Sequence, residues 1–148
     1  MSNHVAFGVL SGALPSGRKK FKPFTPGITP APGTRDTLLQ NIQTVASLDA
    51  VKMPNNIAFN VKVVPDPKDT PAEQLNVMSA YAKTYLHSGG MQMQFNVMST
   101  DQLKDALEHP EAHRNLMVRI SGYNAYFVEL NRELQLELIE RTEHALCH

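Results

Sequence analysis

The sequence predicts an α/β fold in which strands alternate with helices, and three observations carry that prediction. Residues 57–63 and 91–97 place apolar side chains at every second position, the period of a strand with one face in a core. Thr70-Pro71-Ala72-Glu73 and Ser99-Thr100-Asp101-Gln102 are helix starts, each followed by apolar residues at helical spacing. The signals run strand, helix, strand, helix, strand, loop, helix, with no internal repeat.

Taken in order, residues 1–50 read as an irregular, extended arm. Pro15, Gly17, Pro23, Pro26, Gly27, Pro30, Pro32 and Gly33 interrupt any apolar period in the first 35 residues. Such an arm cannot bury its own Phe21, Phe24 and Ile28, so it either wraps over another surface or stays mobile. We expect it to pack weakly on the rest of the chain and to leave an exposed apolar patch. Its Arg18, Lys19, Lys20 and Lys22 have no interleaved aromatic platform and read as a solvated turn rather than a phosphate site. Residues 51–148 form the second unit. Ile57, Phe59, Val61 and Val63 mark its first strand, and Asp66, Pro67 and Asp69 a loop. Leu75, Met78, Ala82, Tyr85 and Leu86 define one face of the helix begun at Thr70, which Ser88-Gly89-Gly90 ends. Met91, Met93, Phe95 and Val97 give the second strand, whose other face, Gln92, Gln94 and Asn96, is entirely amide. Leu103, Ala106 and Leu107 follow on a short helix stopped by Pro110. Leu116, Val118 and Ile120 make a third strand, and Asn131 caps a last helix running through Leu134, Leu138 and Thr142 to the C-terminus.

Composition excludes more than it identifies. At 148 residues there is room for one domain with a real core. Fourteen basic residues cancel fourteen acidic ones, so no global field draws in nucleic acid or an anionic membrane. The apolar runs are short, and the N-terminus lacks the pattern of a signal peptide, which leads us to expect a soluble cytoplasmic chain. Cys147 is the single cysteine, so there is neither an internal disulfide nor a Cys-rich zinc module. His144, Cys147 and His148 stand at i, i+3 and i+4 and would share a helix face, but a fraying terminus with three ligands is a poor metal site. His109 and His113 are separated by Pro110, which breaks helical geometry between them. No Walker loop, dinucleotide fingerprint or Ser-His-Asp order is present.

One segment stands apart, Arg119-Ile120-Ser121-Gly122-Tyr123-Asn124-Ala125-Tyr126-Phe127, where a lone glycine separates two β-prone stretches. Local physics reads it as a turn in which Gly122 takes positive φ. Arg119-Ile120-Ser121-Gly122-Tyr123, with Leu134-Gln135 and Ile139-Glu140-Arg141-Thr142 beyond it, also resembles the C-terminal radical-site segment of glycyl radical enzymes, the pyruvate formate-lyase superfamily. Gly12-Ala13-Leu14-Pro15-Ser16-Gly17-Arg18, Pro23-Phe24-Thr25-Pro26-Gly27, Gly89-Gly90-Met91-Gln92 and Asn96-Val97-Met98 are similar to other segments of that family, so the resemblance covers essentially the whole chain. It implies the C-terminal part of a glycyl radical enzyme barrel, in which residues 1–50 resemble the barrel segment before the radical domain and residues 51–148 are the glycine radical domain, with a radical stored on Gly122 and Arg119, Ile120, Ser121 and Tyr123 supporting the radical loop.

The choice of glycine has a physical reason. A Cα radical is stabilised by planar delocalisation between the flanking amide nitrogen and carbonyl, which a Cβ would twist, and only glycine opens its Cα hydrogen to close approach. We expect Ile120, Tyr123, Tyr126 and Phe127 to shield the site from water and oxygen. The resemblance further implies a separate S-adenosylmethionine-dependent iron–sulfur activating enzyme that installs the radical, with no cofactor or metal bound by this chain. It also implies a catalytic thiyl cysteine upstream, on a missing or separate chain. Cys147 lies outside every matching motif and is not assigned that role. The amide face of Gln92, Gln94 and Asn96 either lines a polar network near the loop or faces solvent or the barrel. Three functions remain open: a radical-carrying subunit or fragment, a replacement module that restores a damaged enzyme, and an inert truncated fragment or small binding protein. Thr25-Pro26-Gly27 and Asn124-Ala125-Tyr126-Phe127-Val128 look closer to the lyase and dehydratase branches than to the pyruvate formate-lyase acyltransferase itself.

Overall fold

The computed structural model describes residues 3–32, 37–54, 57–141 and 143–145. Its organising element is β1 (Ala58–Val64), which pairs in parallel with β2 (Gln92–Val97) along one edge and with β5 (Glu143–Ala145) along part of the other. The β1–β2 register runs from Ala58 opposite Gln92 to Val63 opposite Val97, and α3 (Pro71–His87) is the crossover between them. That helix begins as the sequence predicts: Thr70 Oγ1 accepts from the Glu73 amide at 3.3 Å, and Glu73 Oε2 accepts from the Thr70 amide at 2.8 Å. A second, two-stranded sheet is the antiparallel hairpin of β3 (Met117–Arg119) and β4 (Asn124–Tyr126).

Residues 58–63 of β1 are buried on both faces. Phe59, Val61 and Val63 pack with Tyr85 of α3 and with Leu38, Ile42, Val45 and Ala46 of α2 (Leu38–Ala46). The opposite face carries Asn60 and Lys62, buried because each finds polar partners there. Asn60 Nδ2 donates to Thr29 Oγ1 at 3.1 Å, and Lys62 Nζ donates to Thr100 Oγ1 at 2.9 Å and to the Ile139 carbonyl at 3.1 Å. A second cluster joins Leu103 and Ala106 of α4 (Thr100–Glu108), Val118, Ile120, Phe127 and Leu138 of α5 (Arg132–Glu140).

The first 50 residues differ from the expected irregular, weakly packed arm. His4–Leu10 is a helix, α1, and α2 supplies a large share of the first core. Thr37 heads α2 with a capping box: its Oγ1 accepts from the Gln40 amide, and its own amide donates to Gln40 Oε1 at 2.8 Å. The Pro/Gly-rich stretch stays irregular over residues 11–32, but it is tied down. Its Ile28 amide donates to the Ala58 carbonyl at 3.0 Å, and Thr29 Oγ1 accepts from the Asn60 amide at 3.0 Å, so it supplies the edge of β1 that β5 does not reach. Gly27, at φ +63°, is where this approach is closest; a Cβ there would collide with the Ala58 carbonyl oxygen. Phe7, Leu10, Leu14 and Phe21 nevertheless remain exposed. Gly33, one of the expected breakers, lies outside the described residues.

The last helix is also shorter than expected. It stops at Glu140, Arg141 turns to ψ 136°, and Glu143–Ala145 becomes a strand against Lys62–Val64. An unfilled strand edge in the core outweighs the local preference to continue a helix. Among the described residues no helix is long and apolar enough to cross a membrane.

Burial pulls the Lys62 ammonium down from 10.5 to about 8, helped by the nearby Arg141 charge and opposed by Glu143. Because the folded value lies below the unfolded one, the unfolded chain holds the extra proton between the two, and stability rises with pH across that window. The stability of the native chain relative to Lys62→Met is therefore expected to rise by about 1 kcal/mol between about pH 7.5 and about pH 10, read by urea denaturation. A difference that is flat or falling with pH would contradict the burial of this charge.

Candidate functional site

The β3–β4 hairpin turns on two residues, Ser121 and Gly122. Ile120 and Tyr123 close it, the Ile120 amide donating to the Tyr123 carbonyl at 3.0 Å. Gly122 takes φ +86°, the left-handed region in which a Cβ is strained. Among the described residues, nothing beyond its two chain neighbours approaches within 4 Å of where a Cβ would stand, and the residue is exposed. The turn thus presents the Gly122 Cα outward on a loop whose backbone is held from behind.

Two amides of β2 do part of that holding. Asn96 pairs with Arg119 as a neighbouring strand would: its Oδ1 accepts from the Arg119 amide and its Nδ2 donates to the Arg119 carbonyl, both at 2.8 Å. Gln94 Oε1 accepts from the Gly122 amide at 3.1 Å and from Arg119 Nε at 3.2 Å. The Arg119 guanidinium also donates through Nη1 to Asn124 Oδ1 at 3.1 Å, across the hairpin. Gln94 and Asn96 are therefore buried in a polar network at the loop, while Gln92 is exposed. Of the two readings left open for the amide face, the network describes two of its three residues.

The other support comes from the end of α5. Arg141 forms a two-pronged ion pair with Glu137, both bonds at 2.9 Å, and donates through Nη2 to the Ile120 carbonyl at 3.2 Å. Burial pushes the Glu137 carboxyl up, but His4, whose Nε2 stands 3.7 Å from Glu137 Oε2, and the charge and hydrogen bonds of Arg141 more than offset it and leave the carboxyl below its ordinary value. The i, i+4 spacing of Glu137 and Arg141 on a helix was the available signal for this pair. Nothing in the sequence pointed it at the Ile120 carbonyl.

The four expected support residues separate. Arg119 and Ile120 belong to the holding network, and Ile120 is fully buried in the second core with Phe127. Ser121 is buried, and its Oγ has no partner among the described residues. Tyr123 points away from the core, 38% exposed, and Tyr126 is 40% exposed. The expected four-residue apolar shield is therefore half formed. Strand alternation explains this, since Ala125 faces inward and its neighbours Asn124 and Tyr126 face out.

The histidine readings also change. His144 sits on β5, a strand, with its Nε2 3.5 Å from Asn41 Nδ2, and burial followed by the Lys62 charge lowers its pKa. Thr142, Cys147 and His148 lie outside the described residues. His109 and His113, on either side of the Pro110 break, meet at one carboxylate: Asp105 accepts from His109 Nδ1 at 3.0 Å and His113 Nε2 at 2.5 Å. These hydrogen bonds, that of His113 first, lower the Asp105 pKa. Among the described residues no group of three or more His, Cys, Asp or Glu is placed to hold a metal ion.

Comparison with known proteins gives consistent findings. A family model described as glycine radical matches residues 24–128. The PFL-like enzyme TdcE of Escherichia coli (strain K12) is 33% identical over 149 residues, covering 96% of this chain and 20% of the relative. The B12-independent glycerol dehydratase from Clostridium butyricum superposes with a TM-score of 0.87 at 33% identity, over 97% of this chain and 18% of that one. A structure concerned with 1,2-propanediol dehydration in Roseburia inulinivorans gives a TM-score of 0.88 at 34% identity, over 95% and 18%. The chain thus spans about a fifth of the length of these relatives.

Proposed function

This chain belongs to the glycine radical family, and on that premise we propose that it is the radical-carrying part of a glycyl radical enzyme of the dehydratase or lyase branch. The radical resides on the Cα of Gly122 and passes to a cysteine on a longer polypeptide. A separate S-adenosylmethionine-dependent iron–sulfur enzyme installs it: an abstracting radical breaks one Cα–H bond homolytically and leaves with the hydrogen atom. One unpaired electron and one hydrogen remain on the carbon. The observation that carries this reading is the hairpin itself, which offers the Gly122 Cα with no described residue but its chain neighbours within 4 Å of its Cβ position, while its amide is held by Gln94.

The same openness supports a larger partner. A carbon-centred radical exposed to solvent is quenched, and the outward Tyr123 and Tyr126 leave Gly122 uncovered in the chain by itself. The cover and the thiyl cysteine then come from the remaining four-fifths seen in the relatives. The names of the similar structures favour dehydration over acyl transfer.

Anaerobic incubation of the chain with S-adenosylmethionine, reductant and an activating enzyme of this class is expected to give an organic-radical resonance split into a doublet by the remaining Cα hydrogen. Air should then cut the backbone at residue 122 and release a C-terminal piece of about 26 residues, seen by mass spectrometry. A cut elsewhere places the radical wrongly. No radical under any activation leaves the inert-fragment reading.

A further inference from the structure

Gln94 sits on β2, 28 residues from the glycine it touches and only 7% exposed. Its orientation follows from its partners. The Gly122 amide and the Arg119 Nε–H can only donate, so the atom between them is the amide oxygen, and turning the side chain over would set an NH2 group against two donors. The consequence is that Gln94 Nε2 is buried with no partner among the described residues. An apolar side chain at this place would avoid that cost, but would leave the Gly122 amide and Arg119 Nε without this acceptor. The position keeps a buried, half-satisfied amide, and what it obtains in return is one oxygen that accepts from both the Gly122 N–H and Arg119 Nε.

We infer that Gln94 is a positioning residue for the radical: by accepting the Gly122 N–H it fixes the Ser121–Gly122 peptide and raises the electron-donating power of that amide nitrogen toward Cα. This role rests on the assignment of the radical to Gly122. A Cα radical flanked by an amide nitrogen and a carbonyl is stabilised by donation from the first and withdrawal by the second, so an acceptor on the N–H strengthens the donating half. Arg119 Nε draws on the same oxygen, and its guanidinium is held in turn by Asn124. Arg141 fixes the carbonyl of Ile120, one peptide earlier. The peptide before the radical carbon is thereby pinned, while the carbon itself faces open space.

The test uses the full chain with Gln94→Met, which keeps length and removes the acceptor, and Gln94→Glu, which restores it. In the unactivated chain, Gly122 amide hydrogen exchange should accelerate at least about tenfold in Gln94→Met and return toward the native rate in Gln94→Glu. The Ile120 and Phe127 amides, bonded to Tyr123 and Leu116, serve as controls for an intact hairpin and should not change. In the activated chain, Gln94→Met should alter the amide-proton coupling of the radical and shorten its anaerobic lifetime several-fold, with Gln94→Glu restoring both. If Gln94→Met also loosens the two control amides, Gln94→Ala replaces it under the same criteria. Unchanged Gly122 exchange, or a radical indistinguishable from the native one in both coupling and lifetime, overturns the role of Gln94 alone. A native chain that gives no doublet under the same activation overturns the assignment of Gly122, and this role with it.

Discussion

Gly122→Ala is expected to give no radical under activation conditions that yield a doublet in the native chain, and no cut at residue 122 on exposure to air. The substitution removes the hydrogen that would remain on the radical carbon, and its methyl group twists the plane over which the electron would spread. Loss of fold is separable from this loss of function. Among the described residues nothing beyond the two chain neighbours lies within 4 Å of the Cβ position, so the cost of the methyl group is the backbone strain of holding alanine at φ +86°. That strain is about 1–2 kcal/mol, which for a chain of this size lowers Tm by only about 3–8 °C. A folded Gly122→Ala chain that still shows the doublet would move the radical to another residue.

The largest expected change in stability comes from the far side of the same hairpin. Arg141→Met leaves the Glu137 carboxylate buried beside His4 without its two-pronged partner, and frees the Ile120 carbonyl. Breaking a buried ion pair from one side costs about 3–5 kcal/mol, a large part of the stability of a single domain. Urea denaturation at neutral pH should show that loss. Glu137→Leu combined with Arg141→Met should recover most of it, because the uncompensated charge is then gone. The sign with pH follows from the lowered Glu137 carboxyl: its contribution is present above the ordinary carboxylate value and disappears as pH falls through the folded one. The stability gap between native and Arg141→Met should therefore narrow in acid. A single variant as stable as the native chain at neutral pH would show that the pair does not hold the hairpin.

What the sequence by itself determined is local. The alternation of Phe59, Val61 and Val63 marked β1, the Thr70 to Glu73 box marked the start of α3, and Asn131 marked that of α5, because strand period and helix caps are written within a few consecutive residues. The Gly122 turn was visible for the same reason, a residue without Cβ between two β-prone runs. Tertiary structure decided the rest. Thr37 and Gln40 form a capping box as plain as that of Thr70, yet the prolines before them masked α2, which becomes core only when β1 and α3 stand beside it. β5 exists because an edge of β1 needs hydrogen-bond partners, although the helical pattern of residues 132–140 ran on past it. The support of the site is the clearest case. Gln94 meets Gly122 across 28 residues, and Arg141 meets the Ile120 carbonyl across 21. Residue types and periods show that Gln94 can accept a hydrogen bond and that Arg141 can donate several. Which backbone groups they meet is set by how β2, the hairpin and α5 pack, since a hydrogen bond forms only where packing brings donor and acceptor within about 3 Å.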